Sequence, residues 1–530
     1  MSHEDDRHVE TEARGVRAGA PGGRAIRVLH IGNIANNAYL NARALNDAGF
    51  DCDVICYDYY HIMGCPEWED AAFDDPPEDH FAPDWGAIDL GGFERPRWFV
   101  QGPMADCLAY LIAKRRGDTA EADRCWASLT EIRDDPPPAV RRALWRRAAS
   151  RAKREVVSRA VRVRQRLRRR ASASAPAASA PTTGVTALGR LEAAYDRLSA
   201  RFLADFPDRE DELLIKDVIG YASVLARWTE VFSQYDAVVG YATDGILPLL
   251  CGKRPYFAYE HGTIRNIPFQ PTAQGRLCAL TYRESDGVFI TNCDNITAAG
   301  RLGLERYRFV PHPVNERHRS TEAAAALGAD LRARLGGCDL LVFHPARQHW
   351  EARRHPDWEK GNDILIRGFA RFVHETCPTA GAIFVDWGQT VAQSRALLAE
   401  LGVADRVLWI PPQPNRRMIQ YVEAADLVAD QFHLGAFGSL TPKALMCGRP
   451  VMLYLDPERH HWCFPELPPI LNARTPEEVQ AGLSRLHGDA AFRARIQAEG
   501  IRWYDTYHSS AVITQRFSEA IRAALDGAAP

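Results

Sequence analysis

What the 530-residue sequence lacks narrows it first. It has no apolar run approaching the ~18–20 residues that span a bilayer, which excludes a chain built on membrane-crossing helices. It has almost no net charge, −3 from 65 basic and 68 acidic residues. The chain as a whole therefore carries none of the basic excess of a nucleic-acid binder, and no nucleic-acid partner is expected. Its opening residues, MSHEDDRHVETEARG, are acidic and polar with no signal-peptide core, and a cytoplasmic location is the expectation. The 12 cysteines are scattered. Cys52 and Cys56 share a strand-like run, and no CxxC pair or histidine cluster has zinc spacing. They read as buried free thiols in a reducing compartment. No GxGxxG follows the first strand, which weighs against a dinucleotide site. No obvious DxD pair marks a metal, and no metal or cofactor is expected.

What is present is the composition of a globular protein, 46% hydrophobic and 25% charged, with length for two or three domains. The chain is organised around Ala425 to Leu455, ADLVADQFHLGAFGSLTPKALMCGRPVMLYL. Leu427 to Ala429 reads as a buried strand. Gly435, Gly438 and Ser439 make a small-residue turn. Pro442 to Cys447 starts a helix, and Pro450 to Leu455 is a second strand. A strand feeding a glycine-rich turn and a helix start suits an anion, because the backbone comes close and N–H groups face outward. An ordinary strand–helix–strand crossover explains the same residues equally well.

A second stretch shifts that balance. Asp339 to Arg347, DLLVFHPAR, is an apolar strand ending in His344, Pro345 and Arg347. Lys360-Gly361-Asn362-Asp363 then opens an amphipathic helix carrying Ile364, Leu365, Ile366, Phe369 and Phe372. In an open α/β sheet, strand C-termini and helix N-termini face the crevice where ligands bind. Arg347 and Lys360 so placed suit a diphosphate, where single cations would read as solvated charges.

These residues carry a resemblance. HPAR…EKGND followed by DQFHLGAFGSLTPKALMCGRPV resembles the C-terminal half of the GT-B glycosyltransferases, in particular the retaining group 1, family 4. The resemblance is weak over most of residues 24–315 and good over 339–455. It implies that Arg347 and Lys360 hold a donor diphosphate together with Gly435, Phe437, Gly438 and Ser439. It implies that Ile410 and Gln413 frame the nucleotide base. It puts His261, of His261-Gly262-Thr263, facing the donor sugar, with Glu260 and Arg265 beside it. Two acidic places of the family are changed: the earlier falls on Gly435, and the one that holds the donor ribose is Lys443, which cannot accept hydrogen bonds from hydroxyls.

The rest of the chain fits around these stretches. Residues 1–23 read as a disordered arm. Ala25 to His30 and Asp51 to Tyr57 are strands flanking a helix over about 38–48. Asn33, Asn36 and Asn37 in the intervening loop are either acceptor-side ligands or loop caps. Residues 58–96 read as an irregular insertion, and Trp98 to Arg116 as helical. Arg141 to Arg170 holds 13 arginines and Lys153 against Glu155 alone. Its thin apolar face fits an anionic membrane surface, an acidic partner or docking on residues 67–79, and equally a solvated spacer. Ala171 to Thr183 is a flexible linker. Leu213 to Phe232 reads as one long helix. Strands follow at Ala237–Tyr241, Tyr256–Glu260, Gly287–Asn292 and Arg308–Val314. A strict strand–helix alternation then runs through Ala382–Asp386, Arg406–Ile410, Leu427–Ala429 and Val451–Tyr454. Helices over 475–487 and about 490–524 close the chain.

The resulting expectation is an α/β protein of two Rossmann-like (GT-B) domains facing across a cleft. Residues 24–315 form the acceptor side, with an insertion over about 58–210. Residues 316–500 form the donor side, and 501–530 pack back across both. The function it implies is metal-independent, retaining transfer of a sugar from a nucleotide-diphosphate donor to a hydroxylated acceptor. A nucleotide-sugar epimerase of the same architecture and a non-catalytic scaffold are the alternatives.

Overall fold

The computed structural model describes residues 24–73, 75–130, 187–319, 321–351 and 359–527. The N-terminal arm, the basic segment Arg141 to Arg170 and the linker 171–183 lie outside the described residues.

Among the described residues thirteen strands form two sheets. The first holds β1 (Arg27–Ile31), β2 (Asp51–Tyr57), β3 (Phe99–Gly102), β4 (Ala237–Tyr241), β5 (Tyr256–Glu260), β6 (Gly287–Ile290) and β7 (Tyr307–Phe309). Its order is β3-β2-β1-β4-β5-β6-β7. The second holds β8 (Leu341–His344), β9 (Gly381–Val385), β10 (Val407–Ile410), β11 (Leu427–Ala429), β12 (Val451–Leu453) and β13 (Leu471–Asn472), in the order β10-β9-β8-β11-β12-β13. Every pairing is parallel, for example Val28 opposite Cys52 and Ala237, and Val342 opposite Ala382 and Leu427. Parallel strands covered on both faces read as continuous apolar runs, and β4, β5, β6, β8 and β9 are buried at every position.

Both sheets reverse their strand order next to the first strand, at β1/β4 and at β8/β11. Crevices beyond the carboxyl ends of such strands are where open α/β sheets bind ligands. In the second sheet those ends lead into two stretches singled out above, Pro345 to Arg347 and Asp430 to Ser439. In the first they are the asparagine loop after β1 and the turn after β4, with His261 following the adjacent β5.

The strand expected over Arg308–Val314 is shorter and shifted, Tyr307–Phe309, and four further differences from the sequence expectation shape the fold. Trp98 to Arg116 is not one helix: Phe99–Gly102 is the edge strand β3, and the helix begins at Met104 after Pro103. Leu213 to Phe232 breaks into Ile215–Val218, a 3-10 turn Ile219–Tyr221, and Leu225–Phe232, with Gly220 and Ser223 in the break. The passage between the two sheets contains a helix that the reading above did not place, Thr321–Arg334. The last helix is two, Ala490–Tyr507 and Ser510–Leu525. The break at His508 and Ser509 is where the chain passes from the second sheet to the first. Ile513, Phe517, Ala520 and Ile521 join a core cluster with Val28, Tyr241, Phe257 and Phe289. The crossing is tied to the other strand-to-strand passage: His508 Nε2 donates to the His312 carbonyl (2.9 Å), and Glu316 accepts from Tyr504 Oη (2.8 Å) and the Ser510 amide (2.7 Å).

All 12 cysteines are free thiols, ten of them buried, as expected. Among the described residues no helix is long and apolar enough to cross a membrane.

Candidate active site

The site is built from the ends of β8 and β11. His344 is fully buried at the end of β8. Its Nε2 accepts from Asn362 Nδ2 (2.8 Å), so its Nδ1–H donates to the Ala429 carbonyl (2.9 Å). Asn362, at the start of helix Asn362–Glu375, also accepts from the His349 amide (2.9 Å) and donates to the Arg347 carbonyl (3.3 Å). One asparagine thus fixes the loop that carries Arg347. Burial pushes His344 down to about 4, consistent with a neutral ring that bonds at both nitrogens. The Arg347 guanidinium lies over Trp387, 5.5 Å from the ring centroid.

Lys360 is placed from both sides by its backbone: its amide donates to the His349 carbonyl and its carbonyl accepts from Phe432, each 2.7 Å. Its Nζ donates to Gln431 Oε1 (2.7 Å), and Gln431 Nε2 donates to the Ala436 carbonyl in the glycine turn. Gln431 therefore couples Lys360 to the turn Gly435 to Ser439. Burial lowers the Lys360 pKa, Asp430 opposes that, and Arg347 and Arg265 add repulsion. Asp430 accepts from Thr441 Oγ1 (2.8 Å) at the start of the next helix. Gly435 has φ +74°, a left-handed conformation that glycine adopts without strain.

A cleft cavity of about 280 Å³ lies between the halves. Asn37, Trp68, Glu69, His261, Arg265, Asn292 and His312 line it from the first, and Asn415, Gly438, Ser439 and Lys443 from the second. His261 Nδ1 accepts from Asn37 Nδ2 (3.1 Å), whose other proton goes to the Ile34 carbonyl (3.0 Å). This fixes the tautomer with the proton on Nε2, a donor for a ligand oxygen. Burial, helped by Arg265, pushes His261 down to about 4, which keeps the ring neutral. Arg265 is paired with Asp294 through two bonds of 2.7 and 2.8 Å. His312 packs edge-on against His261 at 5.6 Å.

The other expected residues sit as follows. Asn33 donates to Asn36 Oδ1 (2.8 Å) and the Gly64 carbonyl (2.9 Å) and accepts from the Tyr39 amide (3.0 Å). Asn36 donates to the Cys65 carbonyl (2.9 Å). Both brace the insertion, and of the three asparagines Asn37 alone lines the cavity. Phe437 is buried and stacks on His460 and Phe464, supporting the turn from below. Glu260 is buried behind His261, bonded to Asn295 Nδ2 (2.5 Å), and burial raises it to about 7. Ile410 and Gln413 are buried, with Gln413 Nε2 donating to the Pro411 carbonyl (2.9 Å), and neither lines the cavity. Asp51-Cys52-Asp53 does have DxD spacing, but it stands at the start of β2, away from the cleft. Asp53 is engaged there by Lys114 (2.5 Å), Arg115 (2.7 Å) and Tyr235 (2.7 Å). Among the described residues no group of three His, Cys, Asp or Glu is arranged to hold a metal.

Lys443 is only 9% exposed. Its Nζ donates to Asn415 Oδ1 (2.8 Å), and Asn415 Nδ2 donates to Glu69, a residue of the first half. Sequence reasoning missed Glu69, Asn415 and Gln431. Glu69 lies in the acidic insertion with no periodic signal, while Gln431 was legible only as part of the DQF strand end.

No protein-family model matches the chain. A stretch of 101 residues is 33% identical to the D-inositol 3-phosphate glycosyltransferase of Acidothermus cellulolyticus, covering 18% of this chain and 22% of that protein. A stretch of 96 residues is 35% identical to the enzyme of the same name from Mycolicibacterium smegmatis, covering 18% and 21%. The matches thus span about a fifth of these relatives. Sucrose-phosphate synthase from Thermosynechococcus elongatus superposes with a TM-score of 0.50 at 13% identity, over 95% of this chain and 100% of that one. Two parallel Rossmann-like sheets facing across a cleft, together with the likeness to sucrose-phosphate synthase, give the chain the GT-B fold, and one segment of it is similar to the D-inositol 3-phosphate glycosyltransferases.

Proposed function

We propose that the protein is a glycosyltransferase that moves a sugar from a nucleotide-diphosphate donor to a hydroxylated acceptor, with retention and without a metal. The observation that carries this reading is the wiring of the second half. Arg347 and Lys360 stand at the ends of adjacent elements, and Lys360 is bonded to a neutral amide that also holds the glycine turn. A leaving diphosphate gains negative charge as the glycosidic C–O bond breaks. Fixed, partly desolvated cations stabilise that charge without reorganising; Arg347 and Lys360 stand beside the cavity rather than among the residues that line it. Gly438 leaves open space beside the turn for a phosphate to approach. In the retaining step the acceptor hydroxyl attacks from the leaving-group side, its oxygen bonds to the anomeric carbon and its proton passes to the departing phosphate oxygen. Neutral His261, donating from Nε2, orients a sugar hydroxyl and does not take the proton.

The test is a thermal-shift panel of nucleoside diphosphates and sugar nucleotides on the wild type and on the double variant Arg347→Ala/Lys360→Ala. A ligand that binds the folded state alone raises its melting temperature. One sugar nucleotide should stabilise the wild type and leave the double variant unmoved. Equal stabilisation of both proteins would remove these cations from the donor site.

A further inference from the structure

Glu69 belongs to the short helix Pro66–Asp70 in the insertion and is 1% exposed. Its two carboxylate oxygens have different fates. Oε2 accepts from Asn415 Nδ2 across the cleft, while Oε1 is buried with no hydrogen-bond partner. A buried carboxylate oxygen left unpaired is costly, and a ligand hydroxyl removes that cost. Among the described residues, Glu69 is the one carboxylate that lines the cleft cavity, where it lies with Lys443 and Ser439 of the opposite half. Asn415 orients the pair, its Oδ1 turned to the Lys443 ammonium and its Nδ2 to Glu69. The helix is locked at its next residue: Asp70 accepts from Tyr39 (2.5 Å), Arg43 (2.8 Å) and Asn315 (2.7 Å) and lies 3.0 Å from His318 Nε2. The carboxylate is therefore held in place before any ligand arrives.

We propose that Glu69 and Lys443 together read a vicinal diol. One hydroxyl donates to Glu69 Oε1, and the oxygen of its neighbour accepts from a second proton of the Lys443 ammonium. A carboxylate on one half and an ammonium on the other form a single subsite, so the diol is gripped only when the halves face each other as they do here. This rests on the reading of the cleft as a sugar-nucleotide site. The diol is then either that of the nucleoside ribose or that of a hexose ring.

The experiment measures binding by isothermal titration to the full chain. The probes are UDP, GDP and ADP, the 2′,3′-dideoxy analogue of whichever binds, and its glucose conjugate. The proteins are wild type, Glu69→Gln and Lys443→Gln. For a ribose diol, the dideoxy analogue binds wild type about 10-fold or more weaker than the parent, and that difference collapses in Glu69→Gln. For a hexose diol, the analogue binds like the parent, and Glu69→Gln weakens the glucose conjugate by a similar factor without touching the nucleoside diphosphate. Lys443→Gln, on the other half, shows the same pattern and carries the test should Glu69→Gln fail to fold. Wild-type binding of every probe by both variants overturns the diol subsite and leaves the donor site standing. No binding of any probe by the wild type overturns the donor reading, and the subsite with it.

Discussion

The two halves of the molecule share one topology and handle charge in opposite ways. In the first half the cleft arginine is neutralised: Arg265 is doubly bonded to Asp294. The histidine it flanks is kept neutral by burial, and Asn33 and Asn36 are turned inward onto the backbone. In the second half Lys360 and Lys443 are each bonded to an amide oxygen, of Gln431 and Asn415. An amide orients a cation without cancelling its charge. The comparison teaches where an anion is to be expected. The fold presents two crevices, and the second orients its lysines through amides where the first closes its arginine in an ion pair.

The comparison breaks most sharply at Arg347 and Lys360. If the second half supplies the charge, Arg347→Ala/Lys360→Ala lowers kcat/KM for sugar transfer on the order of 10³-fold. The fall should appear in kcat as well as in KM, because the cations bind the donor and hold it more strongly as the diphosphate leaves. A change confined to KM would mean that the two cations bind the ground state only. Arg265→Lys serves as the counterpart in the first half. It retains charge beside Asp294 and should change kcat/KM far less.

The asparagine loop sharpens the contrast between structure and function within the first half. Asn33→Ala removes bonds to Gly64, Asn36 and Tyr39 in a buried loop and should lower unfolding stability by about 1–3 kcal/mol in urea titration. Asn37→Ala frees the His261 ring and should act on turnover with a smaller loss of stability. Equal stability losses in the two variants would place Asn37 with the braces.

Much of this was legible in the sequence, for a physical reason. Buried parallel strands are largely apolar along their length, so β4, β5 and β11 stand out by composition and their boundaries agree with the reading. Arg347, Lys360 and the glycine turn could be placed because strand ends and helix starts are local signals. β3 was hidden because Phe99–Gly102 runs into a helix after a single proline, and an edge strand of four residues has no period of its own. Glu69 and Asn415 were hidden for a different reason. They act through a contact across 346 positions of chain, and no local pattern records which acid meets which amide. The same holds for the division of labour among Asn33, Asn36 and Asn37, which are equivalent as letters and separated only by what each one touches.

A smaller effect tests the turn itself. Gly435 has φ +74°, and a Cβ there would meet Asp456 Cβ and a Tyr454 ring carbon at 3.0 Å. Gly435→Ala should cost about 1–2 kcal/mol from the left-handed backbone alone. The loss should also weaken nucleoside diphosphate binding, because Gln431 ties the turn to Lys360. Reduced stability with unchanged binding would separate the turn from the anion site.

The smallest effect is one of pH and draws on both halves. Burial depresses His30 and His508 to about 3 and His261 and His344 to about 4. A histidine depressed on folding contributes stability above its unfolded value of about 6.5 and loses it as pH falls toward the folded value. Glu260, raised to about 7, and Asp244, raised to about 6, act in the opposite sense: their contribution is present at low pH and is lost as pH rises through those values. On acidification through this range the depressed histidines lower stability and the raised carboxyls support it, so the two kinds of group oppose each other. Glu260→Gln removes one of the opposing groups. Its amide can still bond Asn295, whose side-chain oxygen is without a partner. Between about pH 4.5 and 7 the variant should therefore lose stability more steeply than the wild type, by at most about 1.4 kcal/mol per pH unit for the one proton involved. Parallel urea-midpoint curves for the two proteins would show that Glu260 titrates as an ordinary carboxylate, and that its place behind His261 does not hold its proton.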